Sequence, residues 1–346
     1  MNSESLISPP DSELPRIGIT IGDAAGIGPE VTLKALSDNS YQNLFRPVII
    51  CDAEFLRAEA VRLALKLEFR EFDHAALSSA IEVVDLKNLP NGAIPGQETA
   101  ETGRASGEYI EKAVELWRGG KVDAITTAPI SKKALAAGGY DFPGHTEFLA
   151  ALTGTSDFAM SFFAEKLRVV LLSTHVPLTD AIKLVTKSKL VDLIAFSDRQ
   201  FRELLNRPVS IAIAGLNPHA SEGGMFGSEE FDEISPAIEE CRTKHGINVS
   251  GPFSPDTVFL RGFAGDFDAV VALYHDQATI AVKSLSFGSS VNVTLGLPLI
   301  RTSVDHGTAI DIAGKGVADE SSMRAAVKLA AQLFAIRGSV DTTSNV

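Results

Sequence analysis

Three histidines each follow a short apolar run and are the residues best suited to chemistry. They are His175, His219 and His275, and the runs before them are LRVVLLS at 167–173, VSIAIAG at 209–215 and DAVVALY at 268–274. Continuous apolar runs are typical of parallel strands buried on both faces, and α/β sheets bind ligands at the carboxyl ends of their strands. Three neutral imidazoles can hold a divalent ion and leave positions open for substrate oxygens. We therefore predict that they converge on one cation; the alternative is three ordinary loop histidines.

The predicted ligand set also indicates which metal it would bind. An all-imidazole site suits zinc, cobalt or nickel better than magnesium, which prefers oxygen ligands. We expect zinc, with cobalt or magnesium as alternatives. Asp276 directly follows His275, so its carboxylate is a candidate hydrogen-bond acceptor for that ring, a fourth ligand or the N-cap of a helix.

Five further side chains could bind an anion. His145 and Thr146 stand in the segment GHTE before an apolar run, where a helix N-terminus would offer hydrogen-bond donors. Lys283, Asn292 and Arg301 follow the third histidine and together suit a phosphate or a carboxylate. The alternative interpretation is a plain capping turn and solvated surface residues.

Two glycine-rich segments could approach a nucleotide. The first, GDAAGIG at 22–28, does not have the G-x-G-x-x-G spacing, so it supports a Rossmann fold only weakly. The second, DHGTAIDIAGKG at 305–316, has glycines that permit close backbone approach, and its His306 and Asp311 could face an adenosine. An irregular loop without a ligand is the alternative.

Composition and patterning indicate the elements that must hold these residues. The chain has 346 residues, 45% of them hydrophobic, which excludes general disorder. Its formal net charge of −13 argues against a basic nucleic-acid binder. No run of about 18 apolar residues predicts a membrane span, and no signal peptide is recognisable. With two cysteines only, we expect free thiols in a reducing compartment, the cytoplasm. Apolar runs alternate with helical patterns, which predicts an α/β protein.

Seven segments together resemble the 4-hydroxythreonine-4-phosphate dehydrogenase family of vitamin B6 biosynthesis. They are GDAAGIGPE (22–30), DAITTAPISK (123–132), GHTEFLA (144–150), STHVPL (173–178), GLNPHASEGGMFGSEE (215–230), YHDQ (274–277) and VNVTLGLPLIRTSVDHGTAIDIAGKG (291–316). The combination spans nearly the whole chain beyond residue 15. The last segment also resembles the adenosine-binding loop of the isocitrate and isopropylmalate dehydrogenases.

The resemblance implies a fold and an assembly. The fold would have two α/β/α domains with a central cleft, like isocitrate and isopropylmalate dehydrogenases and unlike a Rossmann fold. We expect a disordered tail at 1–15, a discontinuous first domain at 16–135 and 295–340, and a second domain at 136–294 that carries the metal ligands and the dimer interface. The family is a homodimer whose active site lies at that interface, with metal ligands from both subunits.

The resemblance also implies residue roles. It matches His175, His219 and His275 to the metal ligands. The substrate contacts would be His145, Thr146, Lys283, Asn292 and Arg301. The cofactor, NAD or NADP, would contact His306, Gly307, Ala309 and Asp311. The proton acceptor stays open among Asp276, Lys283 and His145.

The implied reaction oxidises 4-phosphooxy-L-threonine to 2-amino-3-oxo-4-phosphooxybutanoate, which decarboxylates to 3-amino-2-oxopropyl phosphate on the way to pyridoxine 5'-phosphate. One alternative keeps this chemistry on 4-phospho-D-threonate or 4-phospho-D-erythronate in sugar-acid catabolism. An alternative of another class is a metal-dependent hydrolase that uses the three histidines without a redox cofactor.

Overall fold

The computed structural model describes residues 14–75, 80–286 and 288–338. Most of the predicted tail, 1–13, and the last two residues of the predicted first domain, 339 and 340, lie outside these ranges. Leu14 is buried, and the carbonyl of Pro15 accepts a hydrogen bond from Arg46 N at 2.8 Å. The tail prediction is therefore wrong for these two residues, which are anchored to the fold.

The regular elements alternate along the chain, as the sequence pattern predicts. The strands are β1 (Arg16–Thr20), β2 (Arg46–Cys51), β3 (Phe69–Glu71), β4 (Ile81–Asp85), β5 (Ala124–Thr127), β6 (Ala159–Ala164), β7 (Leu167–Leu171), β8 (Ile211–Ala214), β9 (Val249–Phe253), β10 (Ala269–Ala272), β11 (Val291–Leu295) and β12 (Ile300–Ser303). The α-helices are α1 (Gly28–Ala35), α2 (Ala53–Arg62), α3 (Ala100–Arg118), α4 (Lys132–Ala137), α5 (His145–Thr153), α6 (Leu178–Leu184), α7 (Lys187–Leu205), α8 (Ser235–His245), α9 (Pro255–Ala264), α10 (His275–Leu285) and α11 (Ser321–Gly338). The predicted α/β class is confirmed.

The chain divides into two compact units. Among the described residues, unit 1 comprises 14–156 and 297–335, whereas unit 2 comprises 157–296 and 336–338. The predicted boundary at 135/136 thus falls inside unit 1. The reason is α5, which packs on unit 1 through Phe148: its ring lies 5.2 Å from that of Tyr140, whose hydroxyl donates to Glu111 on α3.

Unit 1 contains a parallel sheet in the order β3-β4-β2-β1-β5-β12. Its central strands are fully buried, which explains their near-continuous apolar sequence. The register pairs Thr20 with Thr127 and Thr127 with Ser303, so three strands end side by side. Residues that follow these ends are therefore presented at one edge of the sheet.

Unit 2 contains a sheet in the order β11-β6-β7-β10-β8-β9. Strand β6 pairs antiparallel with both β11 and β7, while β7, β10, β8 and β9 are parallel. Val270 is paired with Val169 on one side and Ala212 on the other. The three runs that precede the histidines are thus adjacent parallel strands, as predicted, and the buried side chains of β7, β8 and β10 form the core of this unit with α9 and α10.

Helix ends follow local sequence rules. A capping box of Thr99 and Thr102 begins α3, and Gly119 is its C-cap. Helix α1 begins at Gly28, and Ile27 occupies its N-cap position. Among the described residues, none of the helices combines the length and the apolar character needed to cross a membrane.

Candidate active site

His175 and His275 lie together at the carboxyl ends of β7 and β10. Their ring centroids are 5.6 Å apart. His275 is the first residue of α10, and its Nδ1 lies 3.0 Å from Oδ1 of Asp276. When Nδ1 donates to this carboxylate, the lone pair of Nε2 is available to a cation. This pair of imidazoles fits two ligands of a divalent metal, and Asp276 fits the acceptor that orients one of them.

The position of Asp276 within α10 decides one of the roles considered for it. The N-cap of α10 is Tyr274, whose own side chain makes no cap hydrogen bond. The N-cap interpretation of Asp276 is therefore wrong, because the residue lies inside the first turn and faces the ring of His275.

His219 lies on a left-handed turn. Its φ is 53°, and the next three residues also have positive φ values between 44° and 70°. Such backbone is unfavourable for residues other than glycine, so neighbouring contacts must hold it. The buried carboxylate of Glu230 does so at the start of the turn, where Oε1 accepts from the N–H groups of Leu216 at 2.8 Å and Asn217 at 2.7 Å.

The exposed His219 is not grouped with the other two histidines. In the part of the chain that the structure describes, no three His, Cys, Asp or Glu side chains are close enough to bind one metal ion within a single chain. Convergence of all three imidazoles, with ligands shared between two subunits, stays a prediction.

A buried glutamine joins the strand ends that carry these histidines. Gln277 Oε1 accepts from Leu273 N at 2.7 Å, and its Nε2 donates to the carbonyl of Gly215 at 2.8 Å. The side chain thereby links the end of β10 to the end of β8. Sequence reasoning did not assign this role; a polar residue one turn into a helix that follows a buried strand is the signal that could have suggested it.

Arg301 and His145 are neighbouring basic groups in unit 1, the first buried and the second half-buried. Arg301, on β12, is 3% exposed, and its Nη2 donates to Thr127 Oγ1 at 2.7 Å. Burial lowers the pKa of the guanidinium to about 9, and Glu147 opposes the shift. Burial and then Arg301 lower the pKa of His145 well below its usual value. The site therefore keeps a cationic arginine beside a neutral imidazole at pH 7.

His145 is also the first residue of α5 and has capacity for a ligand. Its Nε2 is buried and has no hydrogen-bond partner among the described residues. Thr146 follows it, half-buried, in the first turn of the helix. A helix N-terminus with a neutral imidazole and a nearby guanidinium suits an anion.

The other two predicted substrate residues lie in unit 2. Lys283 is exposed near the end of α10. Asn292 is on β11, and its Oδ1 is buried without a partner in the described part of the chain. The five predicted contacts are thus divided between the units, three in unit 1 and two in unit 2.

The predicted cofactor residues lie on an ordered irregular segment of unit 1 between β12 and α11. His306 Nε2 is buried and without a partner among the described residues, whereas its Nδ1 contacts the carbonyl of Gly307 at 3.0 Å. The space around Gly307 is open, and Ala309 has a positive φ of 42°. Asp311 is exposed. An orphaned buried nitrogen beside open backbone fits a nucleotide that supplies a hydrogen-bonding group.

The two glycine-rich segments, treated separately in the sequence, are in contact. The carbonyl of Thr308 accepts a hydrogen bond from Ile27 N at 3.0 Å. A Cβ at Gly26 would lie only 3.0 Å from Thr308, so a side chain there would crowd the contact. The 22–28 turn therefore supports the 305–316 segment.

Comparisons with known proteins were made for the whole chain. Residues 43–330 match the family model described as pyridoxal phosphate biosynthetic protein PdxA. The chain belongs to this family. It is 46% identical over 325 residues to a D-threonate 4-phosphate dehydrogenase of Cupriavidus necator, covering 92% of this chain and 97% of that protein. It is 42% identical over 330 residues to a 4-hydroxythreonine-4-phosphate dehydrogenase of Desulforapulum autotrophicum, covering 94% and 97%.

A solved structure agrees with this membership. The crystal structure of 4-hydroxythreonine-4-phosphate dehydrogenase from Klebsiella pneumoniae aligns with a TM-score of 0.85 at 41% identity, over 92% of this chain and 99% of that one. The predicted family is confirmed, and the names of its members support an oxidoreductase of the dehydrogenase class.

Proposed function

We propose that the protein is an NAD(P)-dependent, divalent-metal-dependent dehydrogenase that oxidises the C3 hydroxyl of 4-phosphooxy-L-threonine. The observation that carries the proposal is the pair His175 and His275 at the ends of two adjacent parallel strands. The product would be 2-amino-3-oxo-4-phosphooxybutanoate, whose decarboxylation gives 3-amino-2-oxopropyl phosphate for pyridoxine 5'-phosphate biosynthesis. We place this activity in the cytoplasm.

The roles follow from the chemistry of the side chains. His175, His219 and His275 would hold zinc, or cobalt or magnesium in its place, and the 305–316 segment would hold the nicotinamide cofactor. When bound, the ion lowers the pKa of the substrate hydroxyl and the nicotinamide accepts the hydride. Asp276 fixes the ring of His275 so that Nε2 faces the ligand position.

The basic groups of unit 1 suit the phosphate. Arg301 stays cationic at pH 7, and the backbone donors that begin α5 at His145 and Thr146 add hydrogen bonds. Lys283 and Asn292 are proposed as further substrate contacts. The candidates for the proton acceptor are His145, Asp276 and Lys283. The lowered pKa of His145 keeps its imidazole neutral at pH 7 and also makes it a weak base.

A second substrate is favoured by one observation, the name of the 46% identical relative, a D-threonate 4-phosphate dehydrogenase. This compound carries a hydroxyl at C2 where 4-phosphooxy-L-threonine carries an amino group. The bound phosphate and the oxidised C3 hydroxyl would be common to both, so the described side chains serve either compound.

The deciding experiment is a turnover assay with purified protein. Formation of reduced nicotinamide is followed with 4-phosphooxy-L-threonine, D-threonate 4-phosphate and 4-phospho-D-erythronate, each with NAD and with NADP, before and after chelation and zinc repletion. The preferred compound will have the higher kcat/KM, and chelation will abolish its turnover reversibly. Phosphate release without nicotinamide reduction would instead identify a metal-dependent hydrolase and overturn the proposal.

We also propose that the enzyme is a homodimer in which His219 of one subunit joins His175 and His275 of the other. Mixing the inactive variants His219→Ala and His275→Ala under conditions of subunit exchange tests this arrangement. Shared sites would recover activity, because one site of each mixed dimer has all three imidazoles. Sites built within one chain would give no recovery.

A further inference from the structure

We propose that Glu30, Lys34 and Arg62 form a charged clamp that holds the 305–318 segment, called the cofactor loop below, in its binding conformation. These three would be positioning residues for the nicotinamide cofactor. The inference rests on the proposed function, and it adds to that function residues on α1 and α2 that contact neither the histidines nor the anion-binding groups.

Glu30 is the centre of the clamp. It is 1% exposed, and its Oε1 accepts from Ala318 N at 2.8 Å, while Oε2 accepts from Gly316 N at 3.2 Å. A buried carboxylate with these partners holds two backbone N–H groups of the loop. A glutamine at this position has only one side-chain oxygen. Its NH2 group would therefore face one of the two loop N–H groups, and that hydrogen bond would be lost.

Lys34 binds the same two loop residues from the carbonyl side. Its Nζ donates to Gly316 O at 2.9 Å and to Ala318 O at 2.8 Å, and also to Glu30 Oε1 at 2.8 Å. Glu30 and Lys34 are four residues apart on α1 and therefore lie on one face of the helix. Together they satisfy both the N–H and the C=O of Gly316 and Ala318.

Arg62 extends the clamp from α2. Its Nη1 donates to the carbonyl of Gly314 at 2.6 Å, and its Nη2 lies 3.9 Å from Glu30 Oε2. Glu59 fixes the guanidinium through three further hydrogen bonds, one from Nη2 at 2.6 Å and two from Nε at 3.0 and 3.1 Å. Two helices therefore hold the loop at Gly314, Gly316 and Ala318.

The cofactor loop needs such anchors because it has no regular secondary structure of its own. Ala309, Gly314 and Gly316 have positive φ values, and ordering such a segment costs conformational entropy. The backbone at the start of α1 anchors the other side of the loop, where Ile27 N donates to Thr308 O. His306 and Asp311 thus belong to a loop that is fixed at both ends. If the clamp is lost, cofactor affinity falls in proportion to the fraction of molecules with the ordered loop.

The test uses the full-length enzyme with its metal. The variants are Glu30→Gln, Lys34→Met and Arg62→Gln, with Lys34→Arg as a conservative rescue and Glu108→Gln as the control. Glu108 is a carboxylate of the same unit that pairs with Arg104 instead of the loop. The dissociation constant of NADH or NADPH is measured by nucleotide fluorescence. Hydrogen exchange of residues 305–318 is measured without any nucleotide.

We expect the three clamp variants to bind the nucleotide about ten-fold more weakly, as for a loop ordered in about a tenth of the molecules. Their loop amides should exchange faster, whereas metal content and KM for the phosphorylated substrate should change little. Lys34→Arg should restore part of the affinity, and Glu108→Gln should match the wild type. The side chain of Arg62 is more exposed than that of Glu30, so Arg62→Gln should disturb folding less. The Arg62 variant therefore still tests the inference if Glu30→Gln does not fold.

Three outcomes would overturn the inference in different ways. Wild-type affinity in a variant whose loop exchanges fast would show that the clamp does not position the cofactor. Equal weakening of substrate and nucleotide binding would indicate a general structural role. A wild-type enzyme that binds neither nucleotide would refute the proposed function as well, whereas normal nucleotide binding that is insensitive to the clamp refutes only the inference.

Discussion

The two units hold their candidate site residues in opposite ways. In unit 1, Arg301 is almost fully buried and is fixed by Thr127, and His145 is desolvated enough to stay neutral. In unit 2, His175 and His219 are exposed. The proposed anion-binding groups of unit 1 are thus held in place by packing, whereas two of the three proposed metal-binding imidazoles of unit 2 are exposed.

This difference has a physical reason. A guanidinium in a low-dielectric setting binds an anion strongly, but it must be held there by the fold because its burial is costly. An imidazole that binds a metal does not need to be held in a buried position beforehand. The free energy of metal binding itself orders the site. The comparison predicts that the three histidines of unit 2 control metal content, whereas Arg301 and His145 of unit 1 control phosphate affinity and acid stability.

The largest expected effect is that of His219→Ala. If this residue is a metal ligand, the variant should lose bound zinc and turnover together, with kcat/KM down by about a thousand-fold or more, since a metal ion supplies several kcal/mol of transition-state stabilisation. Metal is measured by atomic emission and turnover by nicotinamide reduction. His245→Ala, on the exposed end of α8, is the matched control and should behave as wild type. An active, zinc-free His219→Ala enzyme would remove the metal site from the account.

Arg301→Met should give the next largest effect. Loss of a charge-assisted hydrogen bond is expected to raise KM for the phosphorylated substrate by about a hundred-fold, with bound zinc unchanged. Kinetics are compared between the phosphorylated substrate and its non-phosphorylated analogue, with Arg301→Lys as the control for charge alone. Equal losses on both compounds would contradict an anion-binding role for this side chain.

Asp276→Asn sharpens the comparison within unit 2. The amide keeps the size of the side chain but loses the charge that orients His275 Nδ1. Replacement of such an acceptor typically costs 10- to 100-fold in metal affinity, and we expect about ten-fold, measured by competition with a chromogenic zinc chelator. Glu222→Gln, on the exposed turn that carries His219, is a control for loss of a nearby surface charge. An Asp276→Asn enzyme with unchanged zinc affinity would show that the carboxylate does not act through the ring.

The sequence correctly predicted the position of a residue where that position depends on a single strand or helix. Apolar runs placed the three histidines correctly after adjacent parallel strands, because burial on both faces leaves a clear pattern. It could not show that Gln277 joins two of these strand ends or that Glu30 holds a segment almost 290 residues away, since such contacts depend on tertiary packing.

The boundaries between the two units could not be predicted from local sequence patterns either. The run before α5 looks like an ordinary break, and only the packing of Phe148 beside Tyr140 assigns that helix to unit 1. Similarly, the left-handed backbone at His219 involves residues other than glycine, so the residue types of this turn do not predict its conformation. Composition and periodicity describe elements, whereas these features arise from contacts between them.

The smallest effect concerns the acid stability of unit 1. Because the pKa of His145 is lowered in the folded protein, only the unfolded state takes up this proton just below pH 6.5. The stabilisation is therefore complete above the unfolded pKa of about 6.5 and is lost as pH falls towards the folded pKa. One such group changes the free energy of unfolding by at most about 1.4 kcal/mol per pH unit.

Urea unfolding of the wild type and of His145→Asn between neutral and mildly acidic pH should show that the wild type loses stability more steeply as the pH falls. Because Arg301 contributes to the shift, Arg301→Met should reduce the slope part of the way. Parallel curves for the three proteins would mean that His145 titrates normally and that the anion-binding groups of unit 1 are as open to water as the histidines of unit 2.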